Sequence, residues 1–282
     1  MRNRNPGRDF DKTRRPAPPP DRGKSRGKPE KKPAPAPAER VERPQAGALW
    51  LYGLHAVQAA LANPLRKLGR AVLTPRAIET LGSRLLNRVQ VQSSDPAGID
   101  RLLPPGAVHQ GAALEAWPLK SRDLAEILAE PSTEKRRLVL VLDQLSDPHN
   151  VGAILRTAAA FQVSAVIVQD RHAPPQSGAL AKAASGALDI IPYIEVVNIA
   201  RALDDLAKHG FWRIALAGDG EASLAEAAPI GDVALVLGSE GGGIRRLVRE
   251  HCETSAFIPL SAKMESLNVS NAAAIALYEL RR

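Results

Sequence analysis

The sequence predicts an α/β protein in three parts: a basic, proline-rich tail over residues 1–47, a small α/β domain over 48–120, and a larger domain over 138–282 built on an open parallel sheet, with a linker at 121–137. Three observations predict it. After residue 137, near-continuous apolar runs of strand length alternate with helical stretches, the pattern of parallel strands buried on both faces. Hydrophobic residues make up 44% of the 282 but aromatic ones only 4%, enough for aliphatic cores of one large or two ordinary domains. The excess charge is confined to the tail: residues 1–46 hold 14 of the 38 Lys+Arg and 6 of the 30 Asp+Glu, which is the whole net +8.

The tail carries 10 of the 23 prolines, among them Pro18, Pro19, Pro20 and the Pro-Ala alternation of Pro33 to Pro37, and almost nothing able to form a core. Such a segment is expected to be disordered and partly polyproline-like. A cationic arm beside a neutral globule suits a polyanion, because neutralising phosphates releases counterions whatever their sequence. Nucleic acid is therefore expected as partner, ahead of a mere solubility role. The basic start is followed by no apolar stretch of a secretory signal, and no run reaches the roughly 18 apolar residues of a membrane span. A cytoplasmic protein is expected. Cys252 is the single cysteine, which excludes an intrachain disulfide or a cysteine-built zinc site. The six histidines are scattered, with no helical H-x-x-x-H pair, so no metal is expected.

In the small domain, Leu54, Val57, Gln58 and Leu61 share one face of a helix over 51–61 that Asn63-Pro64 stops. A strand follows at 70–74, a helix at 78–86, an alternating strand at 89–92 and, after Pro104-Pro105-Gly106, another strand at 109–116. Residues 121–137 read as a short helix and a polar connector. In the large domain, strands are expected at 138–142, 165–168, 190–196, 213–217 and 233–237, and helices at 151–161, 180–188, 199–209 and 244–251. No internal repeat is visible. An open sheet of this kind binds ligands beyond the carboxyl ends of its strands.

Four strand ends carry chemistry. Behind the first, Asp147-Pro148 makes a turn, Asn150 can cap the next helix, and Gly152 permits a close backbone approach. Arg156 then sits nearly two turns into an apolar helix, where a guanidinium calls for an anion: a phosphate gripped bidentately or a structural carboxylate. Gly218-Asp219-Gly220 starts like a dinucleotide loop, but Ser223 stands where the third glycine belongs, so it reads as a substrate-side loop. Leu237-Gly238-Ser239-Glu240 and three further glycines bring backbone amides and one carboxylate to a ligand, without the Gly-Lys-Ser/Thr of an ATP-binding loop. Finally Asn268, Ser270 and Asn271 cluster at the start of an alanine-rich last helix, either as a simple cap or as part of a site.

Asn150-Val-Gly-Ala-Ile-Leu-Arg156-Thr-Ala, Gly238-Ser-Glu240-Gly-Gly-Gly243, and Ile258-Pro through Ser266-Leu-Asn-Val-Ser270 resemble the three ordered motifs of the SpoU (TrmH-like) branch of the SPOUT RNA methyltransferases. The likeness covers 138–282. Gly53-Leu-His-Ala-Val and His109-Gln-Gly are similar to the L30e-like substrate-binding domain of the bacterial 23S ribosomal RNA guanosine 2′-O-methyltransferases. The resemblance implies a deep trefoil knot through which the C-terminal helix is threaded, an exception to unknotted chains. It also implies S-adenosylmethionine bound bent within the knot, and a homodimer that completes each site. By resemblance the catalytic set is Arg156, Asn150, Glu240, Ser270 and Asn268, and the cofactor-binding set Gly218, Leu237, Gly238, Ile258, Leu260 and Leu267. Two positions depart from the family. Leu260 replaces the usual methionine and Ala262 a glycine, the latter strained if the backbone there needs a positive φ.

The implied reaction is methyl transfer to a ribose 2′-hydroxyl. Because a guanidinium keeps its proton, Arg156 is better read as holding the 3′-side phosphate and stabilising the developing alkoxide than as a free base. A guanosine of 23S ribosomal RNA is the expected target. The alternatives are a transfer RNA 2′-O-methyltransferase, a catalytically inactive ribosome-assembly factor and, most distantly, a nicotinamide dehydrogenase.

Overall fold

The computed structural model of the chain describes residues 44–131, 135–261, 263 and 266–282. The expected tail up to residue 43, residues 132–134 of the connector and the departure at Ala262 lie outside the described residues.

A front module contains β1 (Leu49–Tyr52), α1 (Leu54–Ala62), β2 (Leu68–Leu73), α2 (Pro75–Leu86), β3 (Val91–Ser93), α3 (Pro96–Asp100) and β4 (Ala112–Ala116). Its strands lie in the order β1-β4-β2-β3, antiparallel except for β2 beside β3. After α4 (Leu124–Ala129) come β5 (Leu138–Asp143), α5 (Pro148–Ala160), β6 (Ala165–Gln169), α6 (Gly178–Ala183), β7 (Tyr193–Val196), α7 (Ile199–Lys208) and β8 (Trp212–Leu216). The chain ends with β9 (Ala222–Ser223), α8 (Leu224–Ala227), β10 (Val233–Gly238), α9 (Arg246–Glu250), β11 (Thr254–Phe257) and α10 (Val269–Arg281). These seven strands form one sheet in the order β7-β6-β5-β10-β8-β11-β9, every neighbouring pair parallel.

The expected parallel sheet is thus present, and its continuous apolar strands have the expected cause: all six residues of β5 are buried, and helices cover both faces. Helix starts follow local chemistry. Thr74-Pro75, Asp95-Pro96 and Asp147-Pro148 each place an oxygen-bearing cap before a proline whose missing N–H costs the first turn nothing.

Several boundaries differ from the expectation. Leu49–Tyr52 form a strand, β1, where only the later helix was expected. Its last residues share an apolar run with α1, and Gly53, at φ +93°, turns the chain between them. The buried face of α1 is Ala56, Val57, Ala60 and Leu61, one position off the expected stripe. The expected helix over 180–188 stops at Ala183, because Ser185 and Gly186 take positive φ and a short 3₁₀ turn follows at Ala187–Asp189. The expected tail boundary falls in a bonded segment, for the Gln45 N–H donates to Glu115 Oε1 at 2.6 Å and Trp117 Nε1 donates to the Ala46 carbonyl.

The front module and the parallel sheet belong to one compact unit and share one hydrophobic cluster. Their seam is polar as well as apolar. Arg66 donates from Nε and Nη2 to both oxygens of Asp189 at 2.8 and 2.9 Å, with side-chain exposures of 0% and 2%. Asn63 Nδ2 donates to the same carboxylate, and Gln176 exchanges two hydrogen bonds with the backbone of Leu119. The expected linker is likewise packed: Leu124, Ile127 and Leu128 of α4 join the cluster around α7 and β5.

Gly152 shows how tightly α5 is seated. A Cβ there would lie 2.4 Å from Ala183 Cβ and 2.9 Å from the Ala184 nitrogen, so the close approach expected of it is made to α6. Gly152→Ala is expected to destabilise the fold by about 1–3 kcal/mol through overpacking, measured as a lowered denaturation midpoint. An unchanged midpoint would show that α6 can yield.

Candidate active site

β5 leads outward through β6 and β7, whereas β10 and β8 lie on its other side, so the connection reverses direction between β5 and β10. Ligands of open α/β sheets bind at such a point, beyond the carboxyl ends of the strands. A cavity of about 790 Å³ opens there, lined by the ends of β8 and β10, the glycine loop, residues after β11 and the start of α10. Gly218, Leu237, Gly238, Ile258, Leu260 and Leu267 all line it, as do Glu240 and Asn268.

The glycine loop is closed on itself. Ser239 and Gly243 exchange backbone hydrogen bonds of 3.1 and 2.9 Å. Gly238 sits so close beneath this bridge that a Cβ would fall 2.1 Å from the Gly243 carbonyl carbon. Asp143, fully buried at the end of β5 and paired in register with Gly238, anchors the far end of the loop. Its carboxylate accepts from the Arg245 N–H at 2.9 Å and from Arg245 Nε at 2.8 Å, while Arg245 Nη2 also reaches Gln169 Oε1.

The start of α5 corrects one expectation. Asp147, not Asn150, caps the helix, accepting from the His149 and Asn150 N–H groups, because Pro148 fills the first helical position. That leaves the Asn150 side chain for the site. Asn150 Nδ2 donates to Glu240 Oε1 at 3.3 Å, and Asn268 Nδ2 donates to Asn150 Oδ1 at 3.0 Å and to Glu240 Oε1 at 2.6 Å. Asn268 also caps α10, its Oδ1 accepting from the Ser270 N–H at 3.0 Å and from the Ser270 hydroxyl at 2.5 Å. The two readings of the Asn268–Ser270 cluster therefore coincide: the cap is itself part of the junction.

Arg156 is apart from this junction. It is exposed, does not line the cavity, and among the described residues makes no hydrogen bond or ion pair. The structural carboxylate considered for it is absent from the described residues, which leaves its guanidinium open to an outside anion. Asn271 is exposed too.

Two cavity residues were missed as ligand groups. Asp219 and Arg249 both line the wall, joined by 2.8 and 3.0 Å contacts from Arg249 Nη1 to the two carboxylate oxygens. That hydrogen bonding holds the Asp219 carboxyl below the usual carboxylate range. A charged residue between two glycines just beyond a strand was the available signal for Asp219; Arg249, on a short polar helix, gave none. Among the described residues no cluster of three or more His, Cys, Asp or Glu side chains could hold a metal ion, and no helix is long and apolar enough to cross a membrane.

Residues 137–278 match the SpoU rRNA Methylase family. The chain is 39% identical over 251 residues to the 23S rRNA (guanosine-2′-O-)-methyltransferase RlmB of Xylella fastidiosa, an alignment covering 83% of this chain and 96% of that protein. With the protein of the same name from Pseudomonas putida it shares 36% over 240 residues, 82% of this chain and 95% of that one. Among solved structures, the SpoU methyltransferase AviRb from Streptomyces viridochromogenes, in complex with AdoMet, matches 84% of this chain and 90% of its own at a TM-score of 0.70 and 21% identity, a likeness of fold. The chain belongs to the SpoU rRNA methylase family, and its parallel-sheet domain has the fold of the SPOUT methyltransferases.

Proposed function

We propose that this protein methylates a ribose 2′-hydroxyl of RNA with S-adenosylmethionine as donor, its target a guanosine of 23S ribosomal RNA, as the names of its relatives state for them. One observation carries the reading: Glu240 and Asn268, far apart in sequence, line one cavity, and Asn268 ties Glu240 to Asn150 at the start of α5 beside it.

The cavity suits the donor. Its volume lies within the usual range for small-molecule sites, and Leu237, Ile258 and Leu267 offer apolar walls beside a backbone rich in glycine. At Gly218 a side chain would project into open space rather than meet protein. S-adenosylmethionine supplies a methyl group already activated on a sulfonium centre, so the chain's own task is alignment and assistance to the nucleophile. Gly218, Leu237, Gly238, Ile258, Leu260 and Leu267 hold the cofactor. Asn150, Glu240, Asn268 and Ser270 fix the cofactor loops and orient the target nucleotide. Arg156 grips the phosphate on the 3′ side of the target ribose and stabilises the 2′-oxygen as its proton leaves to water or phosphate.

Because Arg156 lies off the cavity of its own chain, the site is completed in a homodimer that brings the partner's Arg156 to it. In support, Asn271, Ile275 and Tyr278 are exposed at helical spacing on α10, which packs against α5. The reading includes the family's trefoil knot at α10, an L30e-like RNA-gripping role for the front module, and action in the cytoplasm, where ribosomal RNA is assembled. It also includes the basic tail as an electrostatic arm. Deleting residues 1–46 is expected to weaken RNA binding and flatten its salt dependence while leaving cofactor affinity unchanged. An unchanged salt slope in filter-binding titrations would remove the arm from the account.

The test of the activity is transfer from methyl-labelled S-adenosylmethionine to purified 23S ribosomal RNA and, in parallel, to transfer RNA. Label is expected in the ribosomal RNA, in dinucleotides that resist alkali because a methylated 2′-oxygen cannot attack the phosphate. Label confined to transfer RNA, or cofactor binding without any transfer, would contradict the assignment.

A further inference from the structure

We infer that Asp219 recognises the ribose diol of the cofactor, with Arg249 as the positioning residue that holds it; this rests on the cofactor reading above. Among the described residues lining the cavity, the charged side chains are Asp219, Glu240 and Arg249. Glu240 is engaged by Asn150 and Asn268. Arg249 is spent as well. Its Nη1 donates to both Asp219 carboxylate oxygens, and its Nη2 to the Asp219 carbonyl at 3.3 Å and to Ser255 Oγ at 3.2 Å. It has little left with which to grip a ligand carboxylate.

Asp219 is different. Its side chain is 74% exposed, and an ionised carboxylate has about four lone-pair sites, of which Arg249 uses two. The hydrogen bonds from Arg249 keep it ionised and therefore acceptor-only at neutral pH. A vicinal diol presents two O–H donors at the spacing of one carboxylate, whereas the amino-acid carboxylate of the cofactor would be repelled by it. The loop is also held in place. Gly220 donates its N–H to the Ala217 carbonyl at 3.1 Å and lies so near β11 that a Cβ would fall 2.4 Å from the Ala256 carbonyl carbon; Glu221 donates to the Ser255 carbonyl at 2.9 Å. The carboxylate is thus presented to the cavity by a loop fixed on both sides.

The experiment is calorimetric titration of the full chain and of Asp219→Ala with S-adenosylhomocysteine and with its 2′,3′-dideoxyribose analogue, each variant's denaturation midpoint confirming its fold. The wild type is expected to lose about tenfold in affinity when the diol is removed, the scale of a hydrogen bond to a charged group. Asp219→Ala is expected to bind S-adenosylhomocysteine about tenfold more weakly and to distinguish the two ligands by less than about twofold, and Asp219→Asn to fall between. Equal discrimination by wild type and Asp219→Ala would place diol recognition elsewhere and overturn the inference. Indifference of the wild type to the diol would do the same, even with weakened binding by the variant, because the carboxylate would then be meeting the amino group of the ligand. Failure of the wild type to bind S-adenosylhomocysteine at all would overturn the cofactor reading itself.

Discussion

Arg156→Ala is expected to lower the rate of methyl transfer by about 10²–10³-fold, the usual cost of removing a preorganised group that faces developing charge. Cofactor affinity and the denaturation midpoint are expected to stay unchanged. The midpoint follows from where the residue lies, exposed and without a partner among the described residues, and the affinity from its proposed role, which is to grip a phosphate of the RNA and not the methyl donor. Alanine is also the best helix former, so α5 is not weakened by the change. Arg156→Lys separates two roles. A lysine keeps the charge but loses the fork, so clamping of a phosphate predicts a large loss with weakened RNA binding. Full turnover in Arg156→Lys with unchanged RNA affinity would leave a simple positive charge as the whole contribution.

Gly238→Ala is expected to abolish the site by a different route. The added Cβ would lie 2.1, 2.3 and 2.4 Å from the Gly243 carbonyl carbon, the Gly243 oxygen and the Ile244 nitrogen, all backbone atoms that cannot turn aside as a side chain could. The loop that bridges Ser239 to Gly243 must then shift, and with it Glu240 and its bond to Asn268. Displacements of about 1 Å in such sites cost on the order of 10²-fold in rate, so methyl transfer is expected to fall by at least that factor, and S-adenosylhomocysteine affinity to fall with it because the loop lines the cavity. The fold itself should survive with a cost of about 1–3 kcal/mol, since the anchor between Asp143 and Arg245 remains. Affinity within a few-fold of wild type would show that the close packing of this loop is not what shapes the cavity.

What could be read from the sequence divides along physical lines. Strands buried on both faces are apolar almost throughout, so β5, β6 and β10 announce themselves, while β8 shows only the shorter apolar run Ile214 to Leu216; the ends of such strands mark the ligand-binding side of the sheet. β1 was lost because four apolar residues running into a helix continue its periodicity, and a single glycine marks the corner. Asp147 and Asn150 are both good caps three residues apart, and it was the proline between them that decided which one serves. The pairs that hold the site and the seam in place were invisible for another reason. Asp143 and Arg245 are 102 residues apart, and Arg66 and Asp189 are 123 apart; a charge in an apolar run shows that a partner is needed without naming it. Arg156 belongs to the same class: the sequence called for an anion, and the fold leaves that place open to solvent.

The most direct measurement is nucleotide-resolution mapping of ribose methylation in 23S ribosomal RNA after incubation with S-adenosylmethionine and either the wild-type chain or Arg156→Ala. One guanosine that gains a 2′-O-methyl group with the wild type and remains unmodified with the variant is the predicted result. Ribosomal RNA unmodified by the wild type, or modified equally by both proteins, would contradict the account.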